Sequence, residues 1–436
     1  MNEMNELKKK IKNKQAKIGV IGLGYVGLPL VIEFLKKNYN VFGFDNDTNK
    51  INKLKKNESY INYINFNSLN KKQVLNFYPS SNFSNIKNVD IIIICLPTPL
   101  NKSNNPDMTF IKNGITQIKN YLKDEQLLIL ESTTYPGTTK DIIFPTLIKK
   151  NFKIGKNFFV SYSPERQDPG NKKFGLRKTP KLVSGATSNC LELSYIFYSM
   201  IVDKVVKVSS LEVAELSKLY ENIFRSVNIG LANEMKIICE KLNINFYDVI
   251  KAASTKPFGF LPFYPGPGLG GHCIPIDPFY LKWIAKKNNA DAKFIELSAK
   301  INNSMPTYVL HKIRSALKKY NLSLSKSKIL ILGVAYKKNV DDTRESPSLK
   351  IIQILKQNKV NVDYFDPFVP ILKKSRNSSL KMKSKILNKN LLLKYDCAVL
   401  LTDHDVLKYD LIKKYSKIII DTRGKYKADQ IKIFNA

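Results

Sequence analysis

The segment that most constrains the fold is a short apolar run followed by three glycines near the N-terminus. Lys17–Gly22 is typical of a strand, and Gly22-Leu-Gly24-Tyr-Val-Gly27 fits the pattern GxGxxG before an apolar stretch that starts at Pro29. A second strand-like run ends at Asp45, eighteen residues after Gly27. This order predicts a strand, a tight glycine turn and a helix, the first βαβ unit of a doubly wound parallel sheet.

In that context the glycine pattern predicts a dinucleotide site. Gly22 permits the tight turn, Gly24 lets the backbone approach a pyrophosphate, and Gly27 lets helix and strand pack closely. The helix N-terminus attracts the phosphate charge. Asp45 would accept the adenosine ribose hydroxyls, which favours NAD over NADP, although Lys50 could lie near the same ribose. A glycine turn without a ligand is the weaker alternative.

Composition excludes several classes of protein. The chain has 436 residues, of which 43% are hydrophobic and 25% charged, values typical of a globular protein rather than a disordered one. Lysine and arginine total 71 against 36 acidic residues, a net charge of +35. The lysines are scattered, which favours a lysine-rich composition over a nucleic-acid site. The odd count of five cysteines indicates reduced thiols in a cytosolic protein.

One apolar segment resembles a signal peptide or a membrane span. Residues 18–35 follow a lysine-rich N-terminus, but they include four glycines, Pro29 and Glu33, and they lack a small-residue cleavage site. A buried strand, a glycine turn and a helix explain the segment better. We therefore expect a soluble chain with no membrane partner.

The strand pattern of the first half returns after residue 328. Between the two halves, Glu212–Leu242 has apolar residues at helical spacing, which predicts one long helix, and a Pro/Gly-rich loop follows at 256–277. The sequence thus predicts an α/β protein with two Rossmann-like doubly wound parallel sheets joined by a long-helix linker domain. The corresponding segments are Lys17–Gly22 with Lys328–Gly333, Val41–Asp45 with Val362–Asp366, Val89–Cys95 with Tyr395–Leu401, and Leu127–Thr133 with Ile418–Thr422.

The loop before Asp277 combines a cysteine with closely spaced glycines. Residues 266–271 include four glycines, which let backbone approach a ligand, and Cys273 follows two residues later. A thiolate at that position would be a nucleophile. The other four cysteines, Cys95, Cys190, Cys239 and Cys397, lie in apolar runs and are expected in the core. No Cys-x-x-Cys pair occurs and there are only three histidines, so we expect no metal site.

Polar residues elsewhere complete the predicted site. Lys218 and Asn222 are four residues apart on the long helix and share a face, where they could hold an oxyanion; a solvated lysine is the alternative. The second half lacks the second and third glycines after Gly333, so a phosphate there would be held by side chains. The candidates are Lys337, Arg344 and Arg423, each of which could instead form a surface salt bridge.

Taken together, these motifs resemble the UDP-glucose/GDP-mannose dehydrogenase superfamily, from about Lys17 to Phe434. Within it, Lys256–Tyr280 looks like the corresponding segment of the UDP-N-acetylglucosamine 6-dehydrogenases, and Ile276 stands where the UDP-glucose enzymes have a lysine. The motifs occur in family order: Gly22–Gly27, Pro97-Thr-Pro99, Glu131–Gly137, Ser163–Gly170, Glu215–Asn222, the Cys273 loop and Lys337 to Arg344.

The resemblance implies oxidation of a sugar C6 alcohol to a carboxylate with two NAD⁺, for surface polysaccharide such as capsule or O-antigen. Cys273 would form a thiohemiacetal and then a thioester, which water hydrolyses. The substrate would be a UDP-N-acetylhexosamine, UDP-N-acetylglucosamine being favoured over UDP-N-acetylgalactosamine and UDP-glucose. The catalytic residues implied are Cys273, Lys218, Asn222, Asp277, Thr133 and Glu165.

The resemblance also implies two binding sites without a metal. The residues implied for NAD are Gly22, Leu23, Gly24, Tyr25, Val26, Gly27, Asp45, Lys50, Thr98, Thr133 and Arg344. The residues implied for the UDP-sugar are Glu165, Arg166, Lys218, Asn222, Phe263, Tyr264, Gly266, Gly270, Lys337 and Arg423.

The implied organisation is a cytoplasmic homodimer formed through the long helix. We expect a disordered basic N-terminus at 1–16, an NAD-binding Rossmann domain at 17–208, a helical central and dimerisation domain with the cysteine loop at 209–318, and a UDP-sugar-binding Rossmann-like domain at 319–436. Two alternatives stay open. A two-electron hydroxyacid-type dehydrogenase would need neither Cys273 nor the second half, and a non-catalytic nucleotide-binding protein would not need Cys273, Lys218 or Asp277.

Overall fold

The computed structural model describes residues 3–61, 64, 66–167, 175–271, 274–373 and 379–436. The chain divides into two compact units, the first comprising Met1–Glu221 and Phe279–Asn289, the second Asn222–Pro278 and Ala290–Ala436. Each unit contains a predominantly parallel sheet, which confirms the predicted fold class. The division into three domains drawn from the sequence stays a prediction.

Eight strands form the sheet of the first unit. In chain order they are β1 (Lys17–Ile21), β2 (Asn40–Phe44), β3 (Phe77–Ser80), β4 (Ile91–Ile94), β5 (Gln126–Leu130), β6 (Phe158–Tyr162), β7 (Lys181–Gly185) and β8 (Val205–Lys207). Their spatial order is β3-β2-β1-β4-β5-β6-β7-β8, and only β6 and β7 pair antiparallel. The first six strands have the order 3-2-1-4-5-6 of a dinucleotide-binding Rossmann sheet. Because helices cover both faces, β4 consists of four buried isoleucines.

In the described part of the chain, seven α-helices precede the long helix. They are α1 (Glu3–Lys12), α2 (Gly27–Lys36), α3 (Thr48–Lys55), α4 (Lys71–Leu75), α5 (Thr109–Ile118), α6 (Phe144–Lys149) and α7 (Ser188–Ser199). The predicted long helix is α8 (Leu211–Lys241), which begins in the first unit and ends in the second. Its glycine, Gly230, lies against Ser298, so the absence of a side chain there permits close helix packing. None of the described helices combines the length and apolar character needed to cross a bilayer.

The prediction that residues 1–16 are disordered was wrong. Helix α1 occupies most of this segment, and Leu7 and Ile11 are 1% and 0% exposed in the core of the first unit. The Tyr39 hydroxyl donates a hydrogen bond to the Ile11 carbonyl at 2.8 Å. The sequence did not predict this helix, because most of its residues are polar or charged. Two apolar residues one turn apart are nevertheless enough to anchor a short amphipathic segment.

The second unit has its own five-stranded parallel sheet. After helices α9 (Phe246–Ala253), α10 (Asp277–Lys287) and α11 (Lys293–Lys319), its elements are β9 (Lys328–Leu332), α12 (Pro347–Gln357), β10 (Asn361–Phe365), β11 (Ile371–Leu372), β12 (Met382–Lys383), α13 (Lys389–Leu392), β13 (Cys397–Leu400), α14 (Tyr409–Tyr415), β14 (Ile418–Asp421) and β15 (Ile433–Asn435). The strand order is β10-β9-β13-β14-β15, the 2-1-3-4-5 order of the other common doubly wound sheet. Strands β11 and β12 form a separate antiparallel pair.

The internal repeat predicted from the sequence extends to hydrogen bonds. Gly22 and Gly333 follow the first strand of each sheet with φ of +91° and +85°. In both turns the next residue donates its N–H to a carboxylate at the end of the second strand, 3.0 Å to Asp45 and 2.7 Å to Asp366. The same strand, turn and carboxylate therefore occur in both sheets.

Candidate active site

The glycine turn after β1 leaves free space beside the backbone of Gly24. A Cβ on Gly22 would overlap with the Cys95 carbonyl, and a Cβ on Gly27 would overlap with the Gly22 carbonyl. Only glycine therefore allows α2 to begin so close to β1. Among the described residues, no atom lies within 4 Å of the position that a Cβ on Gly24 would take. This space at the N-terminus of α2 fits the diphosphate of a dinucleotide.

Asp45 lies where the ribose of such a dinucleotide would bind. Its Oδ2 accepts the Leu23 N–H at 3.0 Å and the Lys50 ammonium at 3.2 Å, and its Oδ1 accepts the Asp47 N–H at 3.0 Å. The Tyr60 hydroxyl donates to the Leu23 carbonyl and so fixes the backbone beside Asp45. Lys50 therefore lies beside the carboxylate, where the sequence placed it. The residues of this turn fit NAD.

The predicted ligand edge of the first sheet brings three motifs together. Thr98 follows β4, Glu131 and Thr133 follow β5, and Glu165 follows β6, and these strands are parallel. Their carboxyl ends therefore meet at one edge of the sheet. The Thr98 carbonyl accepts a hydrogen bond from the Tyr280 hydroxyl at 2.8 Å.

A buried lysine joins two of these carboxylates. The Lys181 ammonium lies 2.8 Å from Glu131 and 3.4 Å from Glu165, and the side-chain exposures are 5%, 0% and 14%. The Tyr198 hydroxyl donates to Glu131, and its ring lies 5.1 Å from the Lys181 ammonium. Cys95 lies close enough that the charges of Glu131 and Lys181 act on its thiol. We call Glu131, Lys181 and Glu165 the carboxylate–lysine cluster.

The pKa values of the two carboxylates of the cluster, Glu131 and Glu165, shift in opposite directions. Burial raises the pKa of Glu131, and Lys181 offsets this only in part. Burial also opposes ionisation of Glu165, but Lys181, the N–H of Gln167 and Lys218 outweigh it and hold the pKa of Glu165 below its ordinary value. Glu165 is therefore a carboxylate at neutral pH.

Lys218 and Arg166 lie beside the same cluster. Lys218 is only 8% exposed, so it is not the solvated lysine that was the alternative. Arg166 donates to the Pro180 carbonyl at 2.8 Å and pairs with Glu221 at 2.6 Å, which ties the segment after β6 to α8. These contacts fix the backbone next to Glu165.

In the second unit, Asn222 and Asp277 form a buried pair. The Asn222 amide donates to Asp277 at 2.5 Å, and the two residues are 1% and 2% exposed. Arg225 donates to the Asn222 oxygen, which fixes the orientation of the amide. The predicted nucleophile Cys273 lies outside the described residues, four positions before Asp277.

The glycine-rich loop packs against the second sheet. The Gly266 N–H donates to Asn233 at 2.9 Å, and a Cβ on Gly266 would meet the Arg423 guanidinium. A Cβ on Gly270 would overlap with Tyr336. The glycines therefore permit contact with protein groups as well as the ligand approach that the sequence suggested. Two aromatic residues of the loop differ in burial, since Phe263 packs on Phe224 with ring centroids 5.6 Å apart whereas Tyr264 is 59% exposed.

The three predicted phosphate-binding side chains have different surroundings. Arg423 donates from Nε to the Leu401 carbonyl at 2.7 Å and lies 4.0 Å from Asp403, which leaves it half-buried. Arg344 is exposed and pairs with Asp342 at 2.6 Å, the salt bridge that was its alternative. Lys337, also half-buried, follows the glycine turn at 333.

Sequence reasoning missed one difference between the two sheets. Asp366 accepts the N–H groups of Val334, Ala335, Phe368 and Val369, and it lies 3.1 Å from His404 Nε2. Burial opposes ionisation, but His404 and the N–H groups hold the pKa of Asp366 below its ordinary value. All its acceptor positions are used, whereas Asp45 has a partly exposed carboxylate. Of these two carboxylates, Asp45 is therefore the one that is open to a further donor.

Sequence reasoning also missed Lys181. It is the first residue of β7 and follows Pro180, and a lysine at the start of a strand is usually solvated. No pattern in the sequence pairs it with Glu131 and Glu165, which are 50 and 16 residues away.

Comparison with known proteins identifies the family. Residues 16–202, 212–304 and 330–428 match the NAD-binding, central and UDP-binding domain models of the UDP-glucose/GDP-mannose dehydrogenase family. The protein is similar to a UDP-N-acetyl-D-glucosamine 6-dehydrogenase of Pseudomonas aeruginosa, with 35% identity over 82% of this chain and 84% of the relative. It is also 35% identical to a UDP-N-acetyl-D-mannosamine dehydrogenase of Methanococcus maripaludis, over 94% of this chain and 92% of the relative.

A solved structure agrees with this similarity. The UDP-D-ManNAc dehydrogenase of Pyrococcus horikoshii superposes with a TM-score of 0.85 and 30% identity, covering 96% of this chain and 98% of that one. The chain therefore belongs to the UDP-glucose/GDP-mannose dehydrogenase family. Its cofactor is NAD, as the sequence predicts.

We expect Asp45→Ala to raise the KM for NAD roughly 10- to 100-fold and to relax discrimination against NADP, because it removes a charged ribose acceptor. Steady-state kinetics with each cofactor measure this. Asp47→Ser is the matched control, since it removes a neighbouring carboxylate but keeps a good N-cap for α3. Unchanged NAD kinetics in Asp45→Ala would contradict the assignment.

We expect Lys181→Met to destabilise the protein by about 3–5 kcal/mol at pH 8, because two buried carboxylates lose their counter-charge. In the native protein, the lowered pKa of Glu165 adds stability above its unfolded-state pKa, and this is lost as pH falls. In the variant both carboxylates titrate above their unfolded-state values, so its stability falls as pH rises. Denaturant unfolding at pH 5 and pH 8 measures the difference, which Lys181→Arg should largely abolish. An equal loss at both pH values would show that the charge is not the cause.

Proposed function

We propose that the protein oxidises the C6 hydroxyl of a UDP-N-acetylhexosamine, with UDP-N-acetylglucosamine preferred, to the uronic acid used in surface polysaccharide. The observation that supports this most is the buried Asn222–Asp277 pair, because it fixes a carboxylate four residues after Cys273. The names of the two curated relatives support the sugar class. Asp45, the glycine turn and the UDP-binding domain model support the two nucleotide sites.

NAD, when bound, supplies the hydride acceptor for both oxidations. In the first, the alcohol loses a hydride and a proton to give an aldehyde. The Cys273 thiolate then adds to the aldehyde carbon, and the resulting thiohemiacetal loses a second hydride and a proton to give a thioester. Water breaks the thioester bond, which releases the carboxylate and the thiol.

The chain's own polar groups have distinct roles in this reaction. Lys218 and Asn222 stabilise the oxyanions with an ammonium and an amide that are both nearly buried. Asp277 takes the proton that leaves with the hydride, since Asn222 holds its carboxylate in place. Glu165, kept ionised by its cationic neighbours, accepts a proton from the hydrolytic water, and Thr133 holds that water.

The UDP moiety would be held in the second unit. Arg423 and Lys337 neutralise the diphosphate, and Gly266 and Gly270 leave room for backbone contact on the loop beside Arg423. Arg344 is assigned to the cofactor. Its guanidinium is exposed, although Asp342 holds it in the unliganded chain.

Two exposed aromatic residues support an N-acetylated sugar. Phe258 and Phe260 of the loop before Cys273 are 70% and 41% exposed, so they are not core residues and remain available to an acetamido methyl. Burying one methyl contributes on the order of 1 kcal/mol, or about fivefold in affinity.

UDP-N-acetylmannosamine, the C2 epimer, is the second candidate. The UDP-N-acetyl-D-mannosamine dehydrogenase of Methanococcus maripaludis supports it, because that relative matches a longer part of this chain.

The test is NADH production with UDP-N-acetylglucosamine, UDP-N-acetylmannosamine, UDP-N-acetylgalactosamine and UDP-glucose side by side. We expect two NADH per sugar and the highest kcat/KM for UDP-N-acetylglucosamine. Cys273→Ser should bind both ligands yet lose nearly all net turnover, because an alkoxide is harder to form and an ester is hydrolysed more slowly. One NADH per sugar with free aldehyde would contradict the four-electron reaction. If UDP-glucose were the best substrate, the proposed sugar class would be wrong, but the four-electron reaction would not be contradicted.

We also infer a homodimer formed through α8. Phe224, Leu231 and Ile238 are spaced by seven residues on this helix, yet they are 42%, 55% and 45% exposed. Phe224 and Leu231 line an apolar groove of about 680 Å³ that continues onto α9 and the loop at Phe260. An apolar stripe at heptad spacing fits a second copy of the same helix.

Sedimentation velocity should give twice the chain mass for the native protein, and Leu231→Glu should give the monomer mass because it places a charge in the apolar stripe. Leu75→Glu is the matched control, since Leu75 is an equally apolar residue, 74% exposed, on α4. A monomeric native protein would refute the dimer, and a Leu231→Glu dimer would place the interface elsewhere.

A further inference from the structure

The second unit contains a cavity that the proposed reaction does not use. It has a volume of about 490 Å³ and lies between the C-terminal end of α8, the start of α9, helix α11 and the segment around β15. Four lysines and two acidic residues line it, so its walls are cationic: Lys236, Lys312, Lys319, Lys427, Glu240 and Asp248. We call it the lysine cavity.

The feature that distinguishes this cavity from an ordinary basic surface is a buried, unpaired ammonium. Lys236 is only 5% exposed, and its Nζ has no hydrogen-bond acceptor among the described residues. Glu240, one helical turn further on, is not available, because it accepts Lys312 at 2.5 Å and the Tyr308 hydroxyl. A buried ammonium without an acceptor is costly, so the site favours an anion at this position.

A side-chain oxygen in the wall of the lysine cavity has no hydrogen-bond donor. The Asn435 Oδ1 is buried and has no hydrogen-bond partner among the described residues. The cavity thus offers a cation that needs an acceptor and a carbonyl oxygen that needs a donor. Sulfate and carboxylates supply only acceptors at neutral pH. A monohydrogen phosphate group supplies both, because it has acceptor oxygens and one P–OH donor.

Burial has a further effect on the lysine. It lowers the pKa of Lys236 to about 7, with the charge of Asp421 acting in the opposite direction. A bound anion would favour the charged form of the lysine. The empty cavity therefore holds a cation that is only partly charged at neutral pH, and occupancy would complete the charge.

The cavity lies behind the turn that contains Arg423. Tyr247 forms part of its wall, and the Tyr247 hydroxyl donates to the Thr422 carbonyl at 3.2 Å. The Tyr247 ring lies where a Cβ on Gly424 would be. Asp421, whose charge raises the pKa of Lys236, accepts the Arg423 N–H at 2.8 Å. The charge of Arg423 also acts to lower the pKa of Lys236, so the lysine cavity adjoins the turn that is proposed to bind UDP.

We propose that the lysine cavity is a second anion site, which binds inorganic monohydrogen phosphate. Lys236 contacts the acceptor oxygens and Asn435 accepts the P–OH hydrogen. Neither NAD nor the UDP-sugar is required, so the inference stands apart from the proposed reaction.

The experiment is isothermal titration of the full chain with inorganic phosphate, sulfate and glucose 6-phosphate at constant ionic strength, without NAD or UDP-sugar. We expect phosphate to bind about tenfold more tightly than sulfate, since one hydrogen bond to Asn435 distinguishes them. At pH 7.5 glucose 6-phosphate is mostly a dianion without a P–OH, so we expect it to bind no more tightly than sulfate. Tighter binding of glucose 6-phosphate than of inorganic phosphate would overturn the assignment of the ligand. Equal binding of sulfate and phosphate would overturn the role of Asn435, and no binding of any of the three would overturn the site.

Lys236→Met is the decisive variant. It replaces an unpaired ammonium with an apolar side chain of similar length, so we expect an unchanged or higher Tm without phosphate and the loss of phosphate binding. Lys241→Met, an exposed lysine at the end of the same helix, removes the same charge and should bind phosphate as the native protein does. Native affinity in Lys236→Met, or an equal loss in Lys241→Met, would refute the site.

Discussion

In each sheet, a carboxylate at the end of the second strand accepts a backbone N–H from the glycine turn that follows the first strand. Asp45 and Asp366 occupy the same place in the two units, and each fixes the turn after the first strand. The two differ in what else contacts them. Asp45 shares its charge with Lys50 and stays partly open, whereas Asp366 is closed by His404 and four backbone donors. The two carboxylates thus fix equivalent turns, but Asp45 keeps a partly exposed side chain whereas Asp366 is fully buried.

The sequence predicts those parts of the fold in which local pattern and tertiary role agree. The apolar strands, the glycine turn at Gly22 and the helix α8 follow from periodicity and from residues with restricted geometry. The α1 helix and the strands β7 and β8 do not, because their residues are mostly polar or few in number. Such segments are defined by what they pack against. Leu7 and Ile11 became core residues only because the rest of the first unit provides a surface for them.

The candidate site shows the same limit. Asp45, Glu165, Lys218 and Asn222 could be selected because each lies at a strand end or at helical spacing beside a recognisable motif. Lys181 could not, since pairing it with Glu131 and Glu165 requires knowing that β7 runs antiparallel beside β6. The glycine-rich loop was interpreted as a ligand contact, and the structure adds that a Cβ on Gly270 would overlap with the Cβ of Tyr336.

The charges of the carboxylate–lysine cluster bear on the last step of the proposed reaction. Two carboxylates and two ammonium groups, those of Lys181 and Lys218, act on one another in a nearly buried region. Burial by itself raises the pKa of Glu165, and a protonated acid could not accept a proton from water. The cations reverse that shift, so Glu165 is ionised before substrate arrives. In the proposed reaction Glu165 is the base for thioester hydrolysis, and the neighbouring charge of Lys181 keeps it ionised.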